Sequence, residues 1–407
     1  MWMRRGALLM MALMVLAGCG GAPSGAAATP AGPAPDPLVG VPGRLVFLSR
    51  EAATVVEAGE RRRVGLPAGM SAATLSPDGR RVAGIVEGEL VLLDLGSGEH
   101  RPVQKASLRD LAWSPDGSRL LNYGAVGDET MLALHEEGGE RWRVTIPGSE
   151  PRQVAWAPDG SRLVLEVGGP YVTTRSLWLV ELAEGKATLL AERANRPVWS
   201  PDGSALAYIK NLGPARDRVL IWREGQEPVV GASEEQLVAA FPQQASIFEK
   251  NDLYFYNLRW SPLGESLAAV GKAAGPEPRF IMTSFRPEGC PGNLWVLPVY
   301  LEHQRKDVQI HPYTPCSPGP YVWVKGGSQI AVLQNGPGCA GKMALLDASN
   351  LALLQEVEAP LGTLLASPDG DWVASSQEHT TRFIQLDRPA QPITVEGLGT
   401  LIHWSQP

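Results

Sequence analysis

Four cysteines in 407 residues, no two of them spaced as Cys-x-x-Cys, leave no zinc ribbon and no dithiol redox motif to read. Basic runs are equally scarce. Lys and Arg total 36 against 43 Asp and Glu, a formal charge of −7. A nucleic-acid binder needs a positive face to displace counterions, so nucleic acid is not an expected partner. The chain also has no Gly-x-Ser-x-Gly elbow, Walker loop, dinucleotide fingerprint or His-Glu-x-x-His pair. Those gaps remove the usual signatures of α/β-hydrolases, P-loop enzymes, nicotinamide enzymes and zinc peptidases. The expectation is therefore a binding protein with no catalytic residue, no cofactor and no metal.

The apolar run at residues 7–16 is too short to span a bilayer comfortably, and Arg4 and Arg5 precede it, the layout of a secretory signal. It ends in Leu16-Ala17-Gly18-Cys19, which resembles the bacterial lipobox. By that resemblance Cys19 becomes the acylated first residue of a mature chain carrying −9. Several acyl chains, rather than one, are what make such an anchor stable. Residues 20–41 are rich in Gly, Ala and Pro and have almost nothing to bury, which reads as a mobile tether. The expected organisation is a signal at 1–18, a lipidated tether at 19–42 and a folded unit at 43–407. That organisation places the protein outside the cytoplasm, anchored to the outer leaflet of the cell membrane or to an outer membrane.

One phrase recurs through the folded part. It reads Leu75-Ser-Pro-Asp-Gly79, Trp113-Ser-Pro-Asp-Gly117, Trp156-Ala-Pro-Asp-Gly160 and Trp199-Ser-Pro-Asp-Gly203, with weaker copies ending at Gly264, Gly327 and Gly370 and a last one at Trp404. The phrase returns every 38 to 43 residues, with two longer steps of 61 and 63. Short β runs at that period predict an all-β fold, a β-propeller. In the second unit the four strands are predicted at 71–76, 80–86, 89–95 and 101–105, lettered A to D from the inside outward. Ser-Pro-Asp-Gly forms the A–B hairpin, in which Pro presets φ and Gly closes the turn. Asp78, Asp116, Asp159, Asp202 and Asp369 are turn residues on this reading, since a catalytic site is not copied round a ring. The strand-A tryptophans (113, 156, 199, 260, 323 and 404) fill the wedge between units, with Trp178, Trp222 and Trp295 in strand C; a stacking platform for a ligand is the alternative.

Residues 400–405 read as a strand A and residues 43–50 as a strand B. Pairing them closes the ring and leaves no free edge at the seam. The hairpins number eight, so eight blades are expected, or seven if one long unit is irregular.

Trp-Ser-Pro-Asp-Gly-Ser followed by an apolar strand, then Leu-Trp-Leu-Val-Glu-Leu-Ala-Glu-Gly-Lys at 177–186, resembles the WD-like repeats of the TolB propeller family. The resemblance covers nearly everything from residue 43 onward. It implies a propeller and a place among cell-envelope protein contacts. The chain departs from the family in lacking a preceding α/β domain, in exceeding six blades and in its lipid anchor, so the family's partners do not transfer. An unidentified envelope protein or polysaccharide is the expected partner, bound by a monomer.

Both oversized units put their extra residues on the face of the D–A and B–C loops, where binding usually resides. Ser233 and Gln236 suit a capping box for a short helix there. Phe241, Phe248, Phe280 and Phe285 could anchor a partner or seal the loops onto the ring. Cys290, Cys316 and Cys339 map to one sector of the same rim, where one disulfide is expected, Cys316 with Cys290 or with Cys339. Arg109, Arg152 and Arg196 precede strand-A tryptophans and would stand at the channel mouth. They could bind a carboxylate or sulfated ligand, or pair locally with Asp110 and its neighbours. A carbohydrate-active enzyme remains the other class. It would use a carboxylate pair on that face, for which Asp128, Glu129, Glu249 and Asp252 are candidates.

Overall fold

The computed structural model describes residues 36–105, 108–137, 139–213, 216–233, 252–274, 292–298, 317–335, 341–348, 352–360, 362–377 and 379–405. From Pro37 onward they form one compact unit. Its strands lie in eight antiparallel sheets, seven of them complete four-stranded blades and the sixth in chain order showing three strands, Asp252–Trp260, Ser266–Ala274 and Gly292–Pro298. This is the β-propeller that the repeat predicts. Among the described residues there is no α-helix, and no helix is long and apolar enough to cross a membrane.

The second sheet follows the sequence reading closely, with strands Ser71–Leu75, Arg81–Val86, Glu89–Asp94 and His100–Lys105. Its turn explains the repeated Asp. Ser76 Oγ donates to Asp78 Oδ1 at 2.5 Å, the Arg80 N–H donates to the same oxygen at 3.0 Å, and the Arg81 N–H donates back to Ser76 Oγ at 2.9 Å. Gly79 closes the turn at φ +68, a left-handed conformation that side chains resist. A Cβ there would also lie 2.7 Å from His403 Cδ2. Ser114–Asp116, Ser200–Asp202 and Ser367–Asp369 repeat the same clasp.

Successive strand residues face opposite seams, as strand pleating requires. Leu45 and Phe47 pack toward the eighth sheet with Ala374 and Phe383, whereas Val46 packs toward the second with Val82 and Leu93. The core is thus divided among the seams rather than gathered in one centre. Burying each such side chain is worth about 1.5–3 kcal/mol.

Two kinds of hydrogen bond cross the seams. Tryptophan indoles reach the preceding inner strand, Trp113 to the Thr74 carbonyl at 3.2 Å and Trp260 to the Val198 carbonyl at 3.1 Å. Arginines at the start of strand B reach the next sheet's turn: Arg44 to Gly79 O at 3.1 Å, Arg81 to Gly117 O at 2.8 Å and Arg119 to Gly160 O at 2.8 Å. Arg81 also lies over the Trp113 ring, 5.0 Å from its centroid. The tryptophans are wedges, as expected.

Thr400–Ser405 pairs antiparallel with Arg44–Leu48, so the ring closes through the last strand. Trp404 is buried in that joint and donates to the Pro42 carbonyl at 2.7 Å. One boundary differs from the sequence reading. The compact unit, expected from residue 43, already begins at Pro37, where a short 3-10 turn, Pro37–Gly40, packs Leu38 and Val41 into the closing seam. Composition hid this because only two apolar side chains are involved.

Candidate functional site

The inner strands stand side by side, and most of them are irregular at the end facing the D–A loops. Strand pairing slips between Ser71 and Thr74, Pro151 and Gln153, Asn195 and Val198, Tyr256 and Arg259, and Pro318 and Tyr321. Three residues inside these bulges have left-handed backbones, Ala72 at φ 51, Arg196 at φ 54 and Asn257 at φ 54. Bulges re-aim side chains and favour functional edges. Counted from the hairpin Pro, one position carries Ala72, Asp110, Gln153, Arg196 and Asn257 in successive sheets. The scaffold positions repeat and this one does not.

A cleft of about 470 Å³ opens between the third and fourth sheets, lined by Arg109, Asp110, Ala125, Glu150, Pro151 and Arg152. Its position has a local cause. The inner strand of the third sheet, Asp110–Trp113, is short, and it touches its neighbour Pro151–Trp156 less closely than the inner strands of the fourth and fifth sheets touch each other. The Trp156 indole N–H, buried at the same seam, has no hydrogen-bond partner among the described residues. Arg119, which would be the equivalent of Arg81 over this tryptophan, pairs with Glu136 at 3.1 Å. At the outer edge Trp142 bonds the Leu182 carbonyl at 2.8 Å and holds the seam there.

The cleft brings together two of the three arginines singled out from sequence. Arg152 is committed: it pairs with Glu150 at 2.6 Å and donates to the Gly168 carbonyl at 2.6 Å. Among the described residues the Arg109 guanidinium makes no hydrogen bond and no ion pair. Partial burial lifts the Asp110 carboxyl above the ordinary carboxylate value, and the nearby Arg109 charge only partly offsets it. Burial and the Asp110 charge together push the Tyr123 hydroxyl up to about 12.

Arg196 stands outside that lining. Its backbone N–H donates to Glu166 Oε2 at 2.8 Å, and the buried Glu166 pairs with Arg175 at 3.1 Å. Burial raises the Asp217 carboxyl against the lowering effect of bonds from Asn211 and Phe255 and of the Arg196 charge. Sequence reasoning missed Glu150, Glu166 and Asp217 as parts of these groups. An acidic residue at a D–A corner or inside a strand carries no motif of its own.

Cys19, Cys290, Cys316, Cys339, Phe241, Phe248, Phe280 and Phe285 all lie outside the described residues, as does the helix read after Ser233. Asp128 and Glu129 do not line the cleft. Among the described residues no group of three His, Cys, Asp or Glu side chains is placed to hold a metal.

Fold and repeat together define a β-propeller with WD-like repeats. No family model matches the chain, and no curated protein matches it in sequence. Solved structures do. A eukaryotic initiation factor is similar over 88% of this chain and 85% of its own, with a TM-score of 0.58 at 16% identity. Dihydro-heme d1 dehydrogenase NirN, in complex with DHE, is similar over 89% and 74%, with a TM-score of 0.55 at 15% identity. A putative dipeptidyl aminopeptidase IV from Bacteroides ovatus gives 84% and 56%, 0.52 and 9%. What these proteins share with the chain is the fold.

Proposed function

We propose that the protein is an exported, lipid-anchored TolB-like propeller that binds a protein or polysaccharide of the cell envelope and catalyses nothing itself. The observation that carries this reading is the contrast between repeated and unrepeated positions. Every described carboxylate of the Pro-Asp-Gly turns is spent on its own turn, whereas the inner-strand position five residues before the hairpin Pro differs from sheet to sheet. A rigid ring with one varied edge suits recognition. Leu16-Ala17-Gly18-Cys19 supports the anchor. The test is crosslinking and capture from the native envelope with the full chain, beside Cys19→Ser and a variant lacking residues 274–288. The reading expects Cys19→Ser to leave the membrane fraction and the deletion to lose its captured partner. A folded deletion variant that captures as before, or a Cys19→Ser chain still in the membrane fraction, overturns it.

The pairing of Asp110 with Glu150 in one cleft favours a second reading, a carbohydrate-active enzyme in which the raised carboxyl is the acid. Hydrolysis of envelope polysaccharide lost in Asp110→Asn would establish it.

A further inference from the structure

The cleft between the third and fourth sheets has an unusual charge inventory. It contains two cations and two anions, and only one of each is matched. Arg152 and Glu150 satisfy each other at 2.6 Å. Arg109 and Asp110 sense each other electrostatically yet form no ion pair, so their charged ends stand too far apart to meet. Asp110 accepts no hydrogen bond through its carboxyl among the described residues; the residue is exposed, and the Arg109 charge offsets its partial desolvation only in part. Both residues are exposed, so water solvates each charge alone, and the gain open to a ligand comes from meeting both charges together inside one cleft.

Ligand charge follows from this inventory. A simple anion would satisfy Arg109 and leave Asp110 facing a like charge. A simple cation would do the reverse. A molecule carrying both charges a few ångströms apart satisfies both at once, with the guanidinium taking a carboxylate through two parallel N–H donors. The walls limit its bulk. Among the described residues Ala125 and Pro151 are the apolar lining, with no aromatic face on which a sugar ring would stack, and about 470 Å³ is room for a small molecule.

We infer that this cleft binds a small zwitterion, an amino acid or a dipeptide, with its carboxylate on Arg109 and its ammonium on Asp110. The inference rests on the binding reading above and gives that rim a ligand. The Arg152–Glu150 pair acts as a fixed wall beside the site, since both members are already engaged.

Calorimetric titration of the purified chain tests it with four probes: L-alanine, L-alanyl-L-alanine, N-acetyl-L-alanine and L-alanine amide. One or both zwitterions should bind, and the singly charged analogues should bind at least tenfold more weakly. Arg109→Ala and Asp110→Ala should each weaken the zwitterion at least tenfold, while Asp110→Asn should narrow the gap between zwitterion and N-acetyl-alanine by removing the like charge. Equal binding of N-acetyl-alanine and alanine would mean a plain anion site and overturn the inference, as would no binding by any probe. Envelope capture by the same protein separates the two ideas: if capture persists while every probe fails, the binding reading stands and the zwitterion site falls.

Discussion

The indole N–H of Trp199 donates to the Ala155 carbonyl, 3.1 Å away, across the seam between the fourth and fifth sheets. Arg162 lies over the same ring, 4.8 Å from its centroid. The equivalent Trp156, one seam earlier, has no partner for its indole nitrogen among the described residues. Two tryptophans at one repeat position therefore sit in different electrostatic settings.

Trp199→Phe should lose about 1–2 kcal/mol, from one hydrogen bond and part of a cation–π contact. Trp156→Phe should lose clearly less, because it discards a buried donor that is already unsatisfied. Urea unfolding of both variants decides the point. A larger loss at Trp156 would contradict the seam contrast.

Gly79 and Gly160 have nearly the same backbone, φ 68 and φ 67. Only Gly79 has a neighbour in the way, His403, while nothing lies within 4 Å of a Cβ at Gly160. Gly160→Ala should cost about 1–2 kcal/mol of backbone strain. Gly79→Ala should cost about 1–3 kcal/mol more through overpacking at the ring closure. Thermal denaturation of the pair measures the difference directly.

His135 and His403 bury ring nitrogens that have no hydrogen-bond partner among the described residues. Burial holds both below the ordinary histidine value of 6.5, against the raising effect of Glu140 on one and Asp78 on the other. Arg143 and Arg44, respectively, push the same way as burial. The unfolded chain thus takes up protons near 6.5 that the fold refuses, so stability should fall as pH drops through that value and level off below the depressed folded values. The turn carboxylates act lower. Hydrogen bonds from Ser114 and Ser118 hold Asp116 at about 2, so its contribution is present above the ordinary value of 3.8 and lost as pH falls toward 2. Melting curves should show the first decline flatten in a His135→Phe, His403→Gln double variant. An unchanged slope around 6.5 would assign that decline to other groups.

Glu166 is 3% exposed, pairs with Arg175 and accepts the Arg196 N–H. Glu166→Ala should cost about 3 kcal/mol, since it strands a partly buried guanidinium and frees the bulge. Glu166→Gln, which keeps a hydrogen-bond acceptor, should recover part of that loss. Equal losses in the two variants would place the whole effect in the charge.

Much of this architecture is legible in the chain because it is repeated. Ser-Pro-Asp-Gly marks each hairpin by turn chemistry alone, and the strands of the second sheet follow from it to within a residue. The closing strand is equally plain, since Thr400–Ser405 has the same pattern as the other inner strands. The cleft is not legible. Asp110 and Glu150 lie 40 positions apart on different sheets, and only the short inner strand at Asp110–Trp113 opens the space between them. Leu38 and Val41 escaped notice for a related reason: two apolar residues at the end of a proline-rich stretch set up no periodicity.

The ring's closing contact joins Pro42 to Trp404, 362 residues along the chain. Contacts of such separation form late, because the entropy of closing the loop must be met first. The first sheet therefore waits for the last strand, with the apolar faces of Arg44–Leu48 and Ala52–Glu57 open until residues 400–405 arrive. A chain clipped near its C-terminus is expected to present that sticky edge to chaperones and proteases, so proteolytic trimming of a few residues would act as a disposal signal for the whole molecule.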